Sequence, residues 1–581
     1  MSQGHDLPHY EEASFAAPTL ECDAIMKGGI TSGIVYPYAI LEIATQYRFR
    51  SLGGTSAGAI AAAFAAAAEY SRSARQDPSG FVRLQHYCDQ LPDILLSLFQ
   101  PDREFRPLMR IAKLLARLGK RSPVAFVVLA GIILVIAGAV AGQAALAGIE
   151  PRWVPRAFGA LVAFTVAIGS CVGVVLYAAL TAKNRLLSDG FGACSGLTVK
   201  GSKQLALTDW LHAALQDIAF GSPTHPTPLT FGNLEKPTNG AAPIFLRMVT
   251  TNLSMGRPHT LPQLGLQAGF RPTDWQALLP AAVLTHLNAK SGPWNGIKGA
   301  KRFPAGEDLP VICAVRMSLS FPLLFKAVPI LTFDHEFRSV VKALGGTPKR
   351  RLCTAWLTDG GLSSNFPIHL FDSPLPSRPT FAISLDSLQV SPDEVTRRVL
   401  LPETSLQGSG VQVTEINSLT DFGWRLMASA KDWQDQLASE ITGQRERIAR
   451  IFLDHKEGGL NLAMPPDLSR ALMGYGRDAG RLFTTRFDFD EHRWRRMLGV
   501  YRNTEDWLDR AASTWAAGFD TWFKGYRTKV RSYQKITQSD RQLIGKHFTE
   551  IARAAAGRQV IKRADDKFPA KTGLLRVTGR Y

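Results

Sequence analysis

Apolar residues fall into three patterns along this chain. In the first two thirds, short apolar runs end in glycine-rich turns: DAIM (23–26) before Lys27-Gly28-Gly29, FRSLGG (49–54) before Thr55-Ser56, and TAWLTDGG (354–361). Each reads as a buried strand feeding a loop. The second is followed by AGAIAAAFAAAAEY (57–70), whose alanine-rich run predicts a helix, and another helix is expected from about Ile34. A second pattern covers 419–451, 467–482, 489–517 and 540–556, where Leu, Trp, Phe and Ala recur at helical spacing with Arg and Lys between them. This predicts a mainly helical C-terminal region over 411–567, separated from what precedes it by a linker at 389–410 with little periodicity. The third pattern is uninterrupted: 124–149 and 157–180 contain no charged residue. At ~1.5 Å per residue each would exceed the ~30 Å hydrocarbon core of a bilayer, so a transmembrane helical hairpin is expected over 124–180.

Charge gives that hairpin a direction. Arg110, Lys113, Arg117, Lys120 and Arg121 precede it and Lys183 and Arg185 follow it, whereas the connecting loop holds Glu150, Arg152 and Arg156. The positive-inside rule then places both flanks in the cytoplasm, and an integral protein of a bacterial inner membrane is expected. Arg103, Arg106, Arg110, Lys113, Arg117 and Lys120 recur every three or four residues among leucines, so 102–121 reads as a basic amphipathic segment whose partner is an anionic membrane surface. The N-terminal 1–21 carries no basic, apolar signal pattern and reads as a mobile tail, and 568–581 reads as a basic tail.

The 581 residues correspond to roughly two to four folding units. Lys and Arg number 67 against 49 Asp and Glu, a formal charge of +18, which calls for an anionic partner. With 20% charged and 45% hydrophobic residues, wholesale disorder and a collagen-like repeat are excluded. The six cysteines are scattered with no CxxC pair, which points to neither a zinc cage nor a disulfide framework and makes a reducing compartment the default. Trp494 and Trp507 flank Arg493, Arg495, Arg496 and Arg502, a set that suits nucleic acid or lipid headgroups but fits amphipathic core helices with solvated arginines better.

Gly54, Ser56 and Gly58 make a GxSxG nucleophile elbow, in which small flanking residues permit a strained strand-to-helix turn that exposes the hydroxyl. The motif alone is weak, and no Asp-then-His pair of the α/β-hydrolase order follows it. Asp359, at a strand end before Gly360 and Gly361, is a candidate base, although DGG is also a common turn. Lys27-Gly28-Gly29-Ile30-Thr31-Ser32-Gly33 forms a third glycine-rich turn. Together these three loops resemble the patatin-like phospholipase family. PLTFGNL (228–234), the strand at 243–261, AVRMSLSFPLLFKAV (314–328) and FAISLDSL (381–388) look like further segments of the same fold.

The resemblance implies a three-layer α/β/α catalytic domain over 22–388, interrupted by the basic segment and the hairpin. It implies Ser56 as nucleophile, Asp359 as base, Gly28, Gly29 and Gly33 as oxyanion hole, and hydrolysis of phospholipid or lysophospholipid esters without metal or cofactor. Nucleic acid is not an expected partner, and the oligomeric state stays open. Ile30 and Ser32 depart from the family's GGGxRG loop; Lys27 either supplies the missing cation or is a solvated lysine. His369, ten residues beyond Asp359, is expected to have no chemical role. The alternative is a catalytically impaired scaffold or regulatory protein on the same fold.

Overall fold

The computed structural model describes residues 7–29, 32–106, 190–264, 267–349, 351–404, 443–454, 457–458, 464–529 and 532–559, with isolated positions at 186, 407 and between 413 and 441. Its strands are β1 (Leu20–Met26), β2 (Tyr47–Gly54), β3 (Gly192–Cys194), β4 (Phe245–Asn252), β5 (Arg257–Leu261), β6 (Ala268–Phe270), β7 (Lys301–Arg302), β8 (Leu323–Phe325), β9 (Val328–Phe333), β10 (Leu352–Asp359), β11 (Thr380–Ser387), β12 (Val399–Leu400) and β13 (Ile448–Leu453). One large sheet runs in the order β12-β13-β11-β1-β2-β4-β10-β9-β6-β7, with β5 beside β4; β3 and β8 pair separately. From β13 to β4 neighbours are parallel, while β10 and the strands beyond it are antiparallel. Parallel strands are covered on both faces, which is why the last residues of β1 and β2 are buried without alternation.

The parallel registers bring the predicted loops to one edge. Met26 of β1 is level with Gly54 of β2, and Gly54 with Met248 of β4. β4 continues past β2, and its Thr250 faces Asp359 at the end of β10. The loops that carry chemistry, after β1, β2 and β10, therefore meet at the same crevice, with β4 between the last two strands, the usual place for a site on an open α/β sheet.

Helix α1 (Tyr36–Ala44) follows the first loop, α2 (Ala57–Ala74) follows β2, and α3 (Ser79–Leu98) packs on α2. Because nearly every residue of α2 from Ala57 to Ala68 is buried, the alanines serve to let a helix lie close on the sheet from several sides. Its far end is tied by a buried Arg72–Glu69 ion pair, with Glu69 accepting from the Phe49 amide at 3.0 Å and Arg72 donating to Ala44 O at 2.7 Å.

The C-terminal region is joined to this body. Residues 419–451 were expected to be helical, but Ile448–Leu453 form a strand, β13, parallel to β11. Ile448 and Ile451 are three apart, a spacing that suits a helix as well as a strand buried on both faces. Helix α4 (Pro466–Thr485) packs on α1 through Gly476 and Gly480, where an added Cβ would overlap the Val35 carbonyl or crowd Ala39 and Glu42. In α5 (Phe489–Thr514), Arg496 reaches Asp372 at 3.0 Å, Arg495 reaches Glu491 at 2.8 Å and Arg493 reaches Asp490 at 3.6 Å. The arginines near Trp494 are thus engaged by carboxylates, and Arg496 clamps the helix to the loop that leads into β11.

The expected transmembrane architecture is corrected here. Among the described residues no helix is long and apolar enough to cross a membrane, and 124–149 and 157–180 lie outside the described residues, as does 107–121 of the basic segment. Among the described residues the fold class is mixed α/β with a large mixed sheet; the inserted hairpin is not supported, and the integral-membrane placement and inner-membrane localisation that rested on it are withdrawn. Hydropathy counts apolar residues but not what covers them: α2 is uncharged from Ala57 to Ala68 and is covered by protein.

Candidate active site

β2 ends at Gly54 and α2 begins at Ala57, so the chain must reverse within Thr55 and Ser56. Ser56 does this at φ 56° and ψ −125°, a conformation that costs a non-glycine residue ~1–3 kcal/mol. Gly54 and Gly58 make the turn possible by close approach: a Cβ on Gly54 would overlap the Gly58 carbonyl, and one on Gly58 the Met26 carbonyl. The first turn of α2 thereby sits against the end of β1, with the serine hydroxyl at the crevice.

Asp359 arrives from the other side. Its amide donates to Ser320 O at 3.0 Å, and its Oδ1 accepts from the Gly361 amide at 2.7 Å. Oδ2 accepts from Ser56 Oγ–H at 2.6 Å, between side chains that are 4% and 3% exposed. One carboxylate oxygen is therefore oriented by the DGG turn while the other faces the nucleophile. Gly360 is required beneath them, because a Cβ there would overlap the Val249 carbonyl.

The first glycine-rich loop closes the third side. Gly28 donates its amide to Asn365 O at 2.7 Å, and Gly29 O lies 3.3 Å from both Ser56 Oγ and the Ala57 amide, which donates to it. Gly33 lies against Ala57, where a Cβ would collide with the alanine methyl. Of the three predicted oxyanion-hole glycines, Gly29 meets the serine through its carbonyl, Gly33 abuts Ala57, and the Gly28 amide is held by Asn365. Ile30 and Thr31 lie outside the described residues.

Lys27 is neither solvated nor aimed at the serine. Its ammonium bonds Leu385 O at 3.2 Å and pairs with Asp386 at 3.3 Å, fastening the loop to the end of β11. Burial disfavours a charged Asp386, yet Lys27 and Arg450, the latter at 2.6 Å, hold its pKa down to about 2. That is below the ordinary carboxylate value of ~3.9, so its contribution to stability is complete above about pH 4 and is lost as pH falls toward 2. Asp386→Asn is expected to flatten this part of the acid-stability curve, as read from urea midpoints measured across the range; an unchanged curve would contradict it. His369 lies in the 3₁₀ turn Ile368–Phe371, where desolvation of the ring lowers its pKa against the opposing pull of Asp372.

Beside Ser56 opens a cavity of about 90 Å³, walled by Ile34, Ile60, Phe64, Leu98, Trp210 and Phe325 among others. Its walls are almost wholly apolar, and it runs along α2 toward α3.

No protein-family model matches the chain. Over 592 aligned positions it is 34% identical to the RpoH suppressor of Rhizobium meliloti (strain 1021), with 89% of each protein covered. The chain belongs to the family of that RpoH suppressor. The crystal structure of VipD from Legionella pneumophila superimposes over 93% of this chain and 89% of that one at 12% identity and a TM-score of 0.26, too loosely to bear on fold or activity.

In this RpoH-suppressor relative, several residues at the site had no role assigned from sequence: Ser318, Ser320, Asn365 and Asp386. Their contacts are made across long sequence separations, 262 positions in the case of Ser318 and Ser56. The one available signal was the pair of small hydroxyl residues in MSLSFP (317–322), placed before a proline.

Proposed function

We propose that this chain is a serine acyl hydrolase of the patatin-like type, acting on lipid esters such as phospholipids or lysophospholipids through Ser56 and Asp359. The observation that carries the reading is the 2.6 Å hydrogen bond from Ser56 Oγ to Asp359 Oδ2 at the mouth of an apolar cavity. A serine hydroxyl is a weak nucleophile until a base within hydrogen-bond reach accepts its proton, and Asp359 is so placed.

In this mechanism the acyl chain lies in the cavity and Ser56 Oγ attacks the ester carbonyl carbon while its proton passes to Asp359 Oδ2. The tetrahedral oxyanion forms near the N-terminus of α2, where the helix dipole favours negative charge. Collapse breaks the bond to the alcohol, which leaves with the proton from Asp359. Water then attacks the acyl-enzyme, giving its proton to the same carboxylate, and the fatty acid departs as Ser56 is regenerated.

A fluorophosphonate probe tests this directly, because only an activated serine is labelled. Adduct formation on Ser56, absent from Ser56→Ala, is the expected result. A second reading, a regulatory protein without turnover, is favoured by the Gly28 amide being held by Asn365 and by the Gly29 carbonyl, rather than its amide, facing Ser56. Failure of wild type to label would select it. If the cavity holds the acyl chain, Ala61→Phe, which fills part of its wall, should lower hydrolysis of long-chain p-nitrophenyl esters by about tenfold or more relative to the butyrate. An unchanged chain-length profile would remove the cavity from the substrate path.

A further inference from the structure

We propose that Ser318 is a positioning residue for the nucleophile, and that the turn from Ser318 to Ser320 sets the spacing between Ser56 and Asp359. This deepens, and rests on, the reading of those two residues as a hydrolytic dyad.

The Ser56 amide needs a partner outside its own secondary structure. At a positive φ between the end of β2 and the start of α2, this N–H belongs to neither the strand ladder nor the helix, and a buried donor without a partner is costly. Ser318 Oγ accepts it at 3.1 Å. Ser318 closes the helix Val311–Ser318 and is fully buried, and its own hydroxyl hydrogen goes to Val249 O at 2.7 Å. That second bond fixes the hydroxyl's polarity, so a lone pair always faces the Ser56 amide. The strained conformation of the nucleophile is thus held from β4, the strand lying between β2 and β10.

Two residues later the same turn reaches the base. Ser320 O accepts from the Asp359 amide at 3.0 Å and from Thr358 Oγ1 at 2.5 Å, while Thr250 Oγ1 lies 3.1 Å from Met317 O and 2.9 Å from Thr358 O. Nucleophile and base come from strands that are not neighbours, and this turn is bonded to both. It is itself immobilised by Arg316, 3% exposed, whose guanidinium binds Ser320 Oγ, Lys326 O at 2.9 Å and Ser195 O at 3.2 Å. Because Ser318 occupies the Ser56 amide, the nucleophile's own N–H is not an oxyanion donor, and that duty is left to the residues around it.

Ser318 does not line the cavity, so its loss acts on the placement of Ser56 rather than on substrate binding. Misplacing a reacting group by a fraction of an ångström to an ångström lowers rate by up to about a hundredfold. Ser318→Ala should therefore lower kcat on a soluble short-chain ester, and the rate constant of fluorophosphonate labelling, by about 10- to 100-fold, with KM within about twofold. Ser318→Thr, which keeps the hydroxyl, should recover most of both. Ser71→Ala serves as control: it deletes an equally buried hydroxyl toward the far end of α2 and should leave kcat unchanged. Should Ser318→Ala not fold, Ser320→Ala loosens the turn at Arg316 without touching Ser56, and is expected to lower kcat by a smaller factor at unchanged KM.

Labelled wild type with Ser318→Ala reacting at the same rate would overturn the positioning role alone. A rise in KM at unchanged kcat, or an equal loss in Ser71→Ala, would overturn it as well. Wild type that neither labels nor turns over ester would instead overturn the dyad reading and this proposal with it.

Discussion

Ser56→Ala and Asp359→Asn are each expected to reduce ester turnover by about a thousandfold or more, and the double variant should be scarcely worse than either. The geometry explains why asparagine is no substitute. Asp359 Oδ1 is held by the Gly361 amide at 2.7 Å, so asparagine keeps its oxygen there and turns its NH₂ toward Ser56 Oγ. The serine then receives a hydrogen bond where it should give one, and no group is left to take its proton. His369→Ala should retain most activity, because the Ser56 hydroxyl is bonded to a carboxylate and the imidazole sits on a separate 3₁₀ turn, Ile368–Phe371. Steady-state kinetics, with circular dichroism to establish folding, decides the matter. A loss in His369→Ala as large as in Ser56→Ala would mean a triad, and multiplicative losses in the double variant would mean that the two residues do not act as a unit.

How much of this was legible in the sequence depends on the range of the interaction. The elements around the site are local in origin: an apolar run of four to eight residues followed by glycines predicts a strand and a tight turn, and β1, β2 and β10 are such runs. That their ends share one crevice follows from parallel pairing of β1 with β2 and of β2 with β4, which no single segment reveals. The misreadings have the same physical origin. Residues 448–453 have a spacing compatible with two structures, and only pairing with β11 decides for a strand. Lys27 was weighed as a spare cation or a solvated side chain, but its partner Asp386 lies 359 positions away. The membrane assignment relied on the length of two adjacent runs and their lack of charge, criteria that are silent on whether lipid or protein covers a helix. Ser318 went unassigned because a buried serine is defined by its two hydrogen-bond partners, both of them remote in sequence.

Gly58→Ala should be the most damaging small substitution outside the dyad, lowering stability by ~2–4 kcal/mol and abolishing ester turnover in whatever fraction folds. Alanine is ordinarily the better helix former by ~1 kcal/mol, and Gly58 lies in the first turn of α2, so propensity predicts a gain. Packing reverses the sign. The added Cβ would overlap the Met26 carbonyl and stand 2.9 Å from Lys27 O, and both are backbone atoms fixed in or just beyond a central strand, with no flexible end to swing aside. Relief requires α2 to retreat from β1, which drags Ser56 from Asp359 and opens the contact between Gly33 and Ala57. Gly525→Ala is the matching control, since that glycine lies in the helix Asp520–Tyr526 with no atom within 4 Å of its would-be Cβ. Urea unfolding of the two variants should move in opposite directions: a lower midpoint for Gly58→Ala, an equal or higher one for Gly525→Ala. A wild-type midpoint for Gly58→Ala would mean that the helix can withdraw freely, and the close seat of α2 on β1 would then not be what holds the serine at the crevice.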